Sequence, residues 1–236
     1  MKLDFAGERL LAVVAHPDDA ELLCAGTLAR AAADGAAVGI CALCQGDKGQ
    51  TEPPTPDLVS VRRQESAAAA ALLGAELLFG DFPDAQLFDA PETRNRLVQL
   101  VRQFRPTLLL AHASSDYHAD HRAASALTEA ASWFSASPGH VTEAAPLKEP
   151  PSLWWMDTVN MSDFEPEFFV DVSSYVDLKQ QMLKCHKSQL SRGDNASFFP
   201  LEQLMLQQCS ARGIQSGVEA AEAFRSHRAW KRRRAW

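Results

Sequence analysis

The sequence predicts an α/β fold in which a mostly parallel, doubly wound sheet carries helices on both of its faces. Two observations lead to this prediction: short apolar runs alternate with longer amphipathic stretches through the first half of the chain, and those runs are apolar at successive positions. Strands of a parallel sheet are covered on both faces and need this continuous apolar character, and each needs a crossover, usually a helix, to reach its neighbour. The length of 236 residues suits one such domain.

In residues 1–135 the predicted elements alternate regularly. The apolar run at residues 10–15 predicts the first strand, and the stretch 21–33 predicts a helix after it. A long helix is predicted at 58–73, because Gly74 follows it and can close a helix in the left-handed conformation. The remaining predictions for this half are strands at 36–44, 75–79 and 107–111, and helices at 93–104 and 123–131.

The regular alternation of strands and helices does not continue in residues 136–236. We interpret them as completing the Rossmann-like sheet and covering the site, within a single domain of residues 1–236. Several prolines near the start of this half indicate loops there. The predicted elements are strands at 153–159 and 167–172, and helices at 175–190, 201–212 and 218–225. Residues 225–236 carry six basic and no acidic side chains, and we expect them to form a solvated terminus.

The composition argues against several classes of function. The chain carries 23 basic and 30 acidic side chains, for a net charge of −7, and the acidic excess is larger still without the basic terminus. A body this acidic is a poor nucleic-acid binder. The apolar runs are far shorter than the ~18 residues that a membrane span needs. The acidic start lacks the apolar segment of a signal peptide, so we expect a cytoplasmic protein.

The five cysteines, an odd number, are expected to be reduced thiols. Cys41 and Cys44 form a single C-x-x-C. No second pair completes a zinc site of that kind, and Cys41 lies in an apolar run, so we interpret the motif as buried thiols.

Two polar clusters follow predicted strands. The first strand runs into residues 16–21, HPDDAE, and the strand at 107–111 is followed by residues 116–121, DYHADH. Ligands of open parallel sheets bind beyond the carboxyl ends of the strands, where these two loops can face each other. Imidazole nitrogens and carboxylate oxygens are typical zinc ligands. Acidic residues at a helix start can also serve only as a cap, but two such clusters in one chain favour a divalent-metal site.

The spacing within the clusters suggests a division of roles. Asp18 and Asp19 are adjacent and point in different directions, so one carboxylate can bind the metal while the other faces the reacting water. His118 and His121 share a face if they begin a helix, which would place one at the metal and the other toward substrate. Asp120 could orient one imidazole, as carboxylates behind metal ligands do.

These motifs resemble those of the LmbE/PIG-L superfamily of zinc-dependent de-N-acetylases. Residues 15–21, AHPDDAE, match the A-H-P-D-D-x-E motif at every specified position, and residues 118–121 match H-x-D-H. Two softer matches are the R-x-x-E at residues 62–65 and the H-x-S-Q at residues 186–189. The segments that resemble the subgroup deacetylating N-acetylglucosaminyl-malate in bacillithiol synthesis are residues 165–166, 170–172 and 221–224.

The resemblance implies a role for each of these residues. The implied ligands of Zn²⁺, with Fe²⁺ as the alternative ion in vivo, are His16, Asp19 and His121. Asp18 becomes the general base. His118 becomes the group that stabilises the oxyanion or protonates the leaving amine, with Asp120 oriented behind it.

Two further residues become candidates for substrate binding by the same resemblance. Arg62 would contact the substrate, and His186 could reach the pocket from the second half of the chain. On a helix with Leu183 and Leu190, however, His186 could equally be a packed side chain. The implied partner is a small N-acetylated amino sugar, and the implied assembly is a homo-oligomer.

Three alternatives remain open from the sequence. The enzyme could be a zinc amidase for another acylated amine, such as a chito-oligosaccharide or an antibiotic precursor. Two histidines and one carboxylate could instead bind iron(II) as the facial triad of an oxygenase. A nucleotide-binding module without catalysis is the third, and the lack of a G-x-G-x-x-G after the first strand argues against it.

Overall fold

The computed structural model describes residues 4–190 and 200–229. The strands are β1 (Arg9–Val14), β2 (Ala37–Cys44), β3 (Glu76–Phe82), β4 (Leu108–Ala111), β5 (Ser152–Met156), β6 (Phe168–Asp171) and β7 (Ala221–Ser226). The helices are α1 (Asp19–Leu23), α2 (Ala25–Ala33), α3 (Leu58–Leu73), α4 (Pro91–Phe104), α5 (Ala119–Phe134), α6 (Val176–Lys184), α7 (Lys187–Leu190) and α8 (Leu201–Ser216).

The seven strands form one sheet in the order β3-β2-β1-β4-β5-β7-β6. Strands β1 to β5 pair in parallel, and β7 pairs antiparallel with both β5 and β6. The chain moves outward from β1 to β3 and then returns to β4 on the other side of β1. The loops after β1 and β4 therefore diverge and open a crevice between them, the usual ligand site of such sheets.

The sheet separates two apolar cores, one on each face. Along β1, Leu10, Ala12 and Val14 pack into one core. Leu11 and Val13 pack into the other. All five side chains are fully or almost fully buried. Burial on both faces is the reason that the run is apolar at successive positions, and the predicted α/β class with a mostly parallel sheet is confirmed.

Three predicted helices differ from the structure. The helix predicted at 175–190 is divided into α6 and α7, which are separated at residues 185–186. The stretch predicted as one helix at 21–33 is two helices, because the chain breaks at Cys24, where φ is −147°. The helix predicted at 218–225 is wrong, because residues 221–226 form β7 between β5 and β6. Alanine and glutamate favour helices, but Ala223 and Phe224 pack on opposite faces of the sheet, and tertiary pairing overrides the propensity.

Among the described residues, no helix is long and apolar enough to cross a membrane. All five cysteines are free, and Cys41 and Cys44 are buried, which confirms their interpretation as buried thiols. Residues 230–236, which hold most of the predicted basic terminus, lie outside the described part of the chain.

Candidate active site

The loops that follow β1 and β4 face each other across the crevice at the carboxyl end of the sheet and line a cavity of about 300 Å³. The predicted site residues that line this cavity are His16, Asp18, Asp19, Arg62, His118, Asp120 and His121. The two sequence clusters therefore converge, as expected for strands that flank a topological switch point.

Asp19 lies at the centre of the histidine cluster. Its carboxylate is 3.5 Å from Nδ1 of His16 and 3.3 Å from Nε2 of His121. The backbone N–H of His16 also donates to the Asp19 carboxylate at 2.7 Å, which fixes the turn between β1 and α1. Burial raises the pKa of Asp19, but His121, His112 and His16 lower it well below its usual range, so the carboxylate is ionised.

In each of these two histidines, the ring nitrogen that does not face Asp19 lies close to a second carboxylate. Nε2 of His16 is 3.1 Å from Asp120, and Nδ1 of His121 is 3.1 Å from Asp116. Histidines that bind metals through one ring nitrogen commonly present the other to a carboxylate, which sets the tautomer and the orientation of the ring. The Asp120 carboxylate thus faces His16, whereas the sequence interpretation put it behind His118.

The cluster is electrostatically suited to a cation. The pKa of His16 is raised to about 10: burial alone would lower it, but the contacts with Asp120 and Asp19 raise it by more. Burial likewise lowers the pKa of His121, and Asp19 and Asp116 raise it to about 9. The carboxylates around these two buried imidazoles therefore favour positive charge at this position.

The donor set fits a divalent metal such as zinc. Ring nitrogens of His16, His118 and His121 lie within 4.8 Å of one another, and Asp19 forms a second such group with His112 and His121. Imidazole nitrogens and a carboxylate are ligands of catalytic zinc sites, which commonly use three protein ligands. His16, Asp19 and His121, the ligands that the family resemblance implies, are divided between these two groups, and their role as ligands stays a prediction.

Asp18 differs from Asp19 in its backbone and its partner. It has φ of 101°, in the left-handed region, where a non-glycine residue stores strain. Its carboxylate is 3.1 Å from Nη2 of Arg62 rather than against the histidines. Burial raises the pKa of Asp18, and Arg62 opposes this rise. The adjacent carboxylates thus have separate partners, and their division between the metal and the reacting water stays a prediction.

His118 is the N-cap residue of α5. Its Nδ1 accepts a hydrogen bond from the backbone N–H of Asp120 at 3.2 Å, and its ring lies edge-on to His16. Burial lowers the pKa of His118, and the neighbouring His121 lowers it further. The structure therefore places a neutral imidazole at the edge of the cavity.

The two residues predicted to bind substrate lie at different depths. Arg62 is buried at the cavity wall, where it pairs with Asp18 and also donates to the backbone oxygen of Pro17. His186 is completely buried, and its Nε2 lies 3.4 Å from Glu21. This is the packed arrangement that the sequence left open for His186, and direct substrate contact by either side chain stays a prediction.

Two further residues of this cluster, Asp116 and His112, are not among the site residues named from the sequence. His112 follows β4, is completely buried, and its Nε2 lies 3.0 Å from the Ala15 N–H and 3.3 Å from Asp19. Burial lowers the pKa of His112 to about 4, so the ring is neutral. The only sequence signal for both residues was their place just after a buried strand.

The fold and the site together define a class: an α/β enzyme with a cluster of histidines and aspartates that could hold a metal ion, at the switch point of a doubly wound sheet. A family model described as GlcNAc-PI de-N-acetylase (PIG-L) matches residues 11–132, just over half of the chain. The chain belongs to this PIG-L, or LmbE, family.

Similar proteins in this family have different reactions. The chain is 27% identical over 188 residues to a 4-oxalmesaconate hydratase of Pseudomonas putida, covering 76% of this chain and 73% of that protein. It is 26% identical over 189 residues to a diacetylchitobiose deacetylase of Thermococcus kodakarensis, covering 77% and 70%. A conserved protein of Thermus thermophilus has a solved structure with a TM-score of 0.80 and 33% identity, covering 96% of this chain and 100% of that one.

Proposed function

We propose that this chain is a zinc-dependent hydrolase that removes the N-acetyl group from an N-acetylglucosaminyl conjugate, with a malate-like aglycone as the first candidate. One observation carries the proposal. Asp18, adjacent to the candidate ligand Asp19, turns its carboxylate to Arg62 and lines the same cavity as the histidines. A carboxylate beside a metal site, and separate from its ligands, is the arrangement that hydrolysis by water requires.

His16, Asp19 and His121 would hold the ion. A divalent ion there would supply Lewis acidity toward the acetamide carbonyl and toward water. Asp18 takes a proton from the attacking water, and Arg62 holds the carboxylate toward the cavity. The C–N bond of the amide then breaks, giving acetate and the free amine, and the proton held by Asp18 goes to that amine.

The hydrogen bond at His118 supports one of its two predicted roles. Because the Asp120 N–H donates to Nδ1, that nitrogen carries no proton, and the proton of the neutral ring is on Nε2. An Nε2–H group can donate to a developing oxyanion, which is worth about 10²–10³ in rate for a single well-placed donor. Giving the same proton to the amine would leave an imidazolate, so Asp18 is the better acid for that step.

Hydration is the second candidate function. The hydratase of Pseudomonas putida is as similar to this chain as the chitobiose deacetylase is. Both reactions add water with the help of a base, so the substrate decides between them. The two outcomes are distinguished by the product, since only deacetylation releases acetate.

The test is acetate release by the zinc-loaded protein from N-acetylglucosaminyl conjugates of malate and inositol and from diacetylchitobiose, with hydration of 4-oxalmesaconate measured in parallel. Asp18→Asn should keep one zinc per chain and lose about 10²–10⁴ of the rate, the range for a general base. Loss of zinc in this variant would make Asp18 a ligand instead. Hydration without acetate release from any conjugate would replace the proposed reaction with the second candidate.

A further inference from the structure

A short segment of the second half, residues 186–190, contacts three elements around the cavity. It holds His186 and the single-turn helix α7. His186 lies against Glu21 of α1, Ser188 contacts Glu65 of α3, and Gln189 contacts the loop that follows β2. The segment is therefore one piece of chain that joins the helix after β1, the long helix α3 and the cavity wall.

Glu65 holds this segment with both of its carboxylate oxygens. Oε1 accepts the backbone N–H of Ser188 at 2.7 Å, and Oε2 accepts the Ser188 hydroxyl at 2.7 Å. A four-residue helix cannot hold its own geometry, because forming one turn costs more than its few hydrogen bonds return. A charged acceptor for a first-turn N–H of α7 supplies what the turn itself lacks. We name this contact the Glu65–Ser188 latch.

The latch fixes the position of Gln189. The Gln189 side chain is almost completely buried, and its Nε2 donates to the backbone oxygen of Gly49 at 3.1 Å. Gln189 and Gly49 both line the cavity that holds the candidate metal ligands. The wall formed by these two residues thus depends on α7, and α7 depends on a side chain of α3.

Helix α3 also contacts Asp18, the proposed general base. Arg62 and Glu65 are three residues apart on α3 and so lie on one side of the helix. Arg62 holds Asp18, and Glu65 holds α7. One helix face therefore contacts both Asp18, the proposed base, and the segment that carries Gln189.

We propose that Glu65 is a positioning residue: through the Glu65–Ser188 latch it holds Gln189 and Gly49 in the geometry that binds the substrate. The inference rests on the proposed function, because it assigns Gln189 to substrate binding in the same cavity. Glu65 itself touches neither the candidate ligands nor Asp18 in this arrangement, so its removal acts on the binding of substrate.

The test compares Glu65→Ala with Glu65→Gln, Gln189→Ala and the double variant Glu65→Ala/Gln189→Ala. Glu65→Ala should raise KM roughly five- to tenfold, the size of one or two lost hydrogen bonds, while kcat stays within about twofold. Zinc should remain at one per chain. Glu65→Gln should recover most of the loss, since an amide can accept the Ser188 N–H and donate to the Ser188 hydroxyl. Gln64→Ala, on the exposed side of the same helix, is the matched control and should match the wild type.

Two results would overturn the latch as a positioning device. One is a fall in kcat at unchanged KM, which a merely destabilised protein with a smaller active fraction would give. The other is full additivity of the two alanine variants, because a residue that acts through Gln189 should add little once Gln189 is gone.

A measurement without substrate separates this inference from the proposed function. In the zinc-loaded protein, hydrogen exchange at the Ser188 and Leu190 amides should speed up at least about tenfold in Glu65→Ala and stay near the wild type in Glu65→Gln. If no conjugate is turned over, the proposed function fails. The exchange rates still show whether Glu65 holds α7 through the Glu65–Ser188 latch. Unchanged protection in Glu65→Ala would refute it in either case.

Discussion

Two clusters of buried charge lie in this molecule, and they differ in what balances them. One is the site cluster around Asp19, at the carboxyl ends of β1 and β4. The other, which we name the Glu222 cluster, consists of Glu222, Lys179 and the first backbone N–H groups of α2. Both are almost completely removed from solvent, so burial alone does not separate a functional site from a structural one.

The Glu222 cluster is balanced within the protein. The carboxylate of Glu222 accepts the N–H of Gly26 at 2.9 Å and of Thr27 at 2.7 Å, and Lys179 Nζ lies 2.5 Å from the same group. One negative charge meets one positive charge and the N-terminus of a helix, which favours an anion. The three contacts tie together β7, α2 and α6, and the charge of Glu222 is matched by that of Lys179.

The site cluster is not balanced in this way. Asp19, Asp116 and Asp120 surround two histidines, and the carboxylates raise the pKa of both. A cavity also opens onto this cluster. An excess of anionic oxygen atoms beside a cavity, rather than buried charge as such, is the feature that indicates a cation site.

The largest expected difference between the clusters is in metal binding. Asp19→Ala should abolish stoichiometric zinc binding and reduce turnover to the background, because it removes a candidate ligand and the central negative charge. Metal content per chain by elemental analysis, together with acetate release, is the measurement. Asp177→Ala, an exposed aspartate on α6, is the matched control and should bind zinc normally. Full zinc occupancy in Asp19→Ala would remove Asp19 from the proposed ligands.

The Glu222 cluster should show the opposite pattern. Glu222→Gln leaves Lys179 as a buried charge without its counter-ion, which costs about 3–5 kcal/mol of the free energy of unfolding. The double variant Lys179→Met/Glu222→Gln should recover part of that loss, since it removes the uncompensated charge. Urea unfolding of the zinc-loaded proteins is the measurement. The folded fraction should still bind one zinc per chain, and zinc loss at equal foldedness would show that the two clusters are coupled.

The placement of the site could be predicted from the sequence, but its supporting contacts could not. The HPDDAE segment follows the apolar run of β1 directly, the HADH segment begins one short loop after the run of β4, and parallel strands bring such ends together. The latch joins Glu65 to Ser188 across 123 residues of sequence, and no local pattern reports a contact of that kind. The β7 segment is rich in Ala and Glu, which predicts a helix from the sequence. Its pairing with β5 and β6 makes it a strand instead.

The smallest expected effect is that of Asp116→Asn on zinc affinity. It is also the most specific test of the difference between the site cluster and the Glu222 cluster. Its Oδ1 accepts the backbone N–H of His118 at 2.9 Å and lies 3.1 Å from Nδ1 of His121. Asp116→Asn can keep the first contact through its amide oxygen, but it loses the charge behind the histidine. If Asp116 orients a metal ligand, zinc affinity measured by chelator competition should weaken about 10–100-fold, and Asp120→Asn should weaken it to a similar extent.

A purely structural Asp116 would behave like a member of the Glu222 cluster. Asp116→Asn would then change the urea midpoint and leave zinc affinity within about twofold of the wild type. Glu222→Gln supplies the reference for that outcome, since its carboxylate lies in the other cluster and contacts neither His16 nor His121 among the hydrogen bonds of the described residues. A change in affinity without a change in stability would assign the Asp116 carboxylate to the metal site, because its charge then acts on the ion through His121.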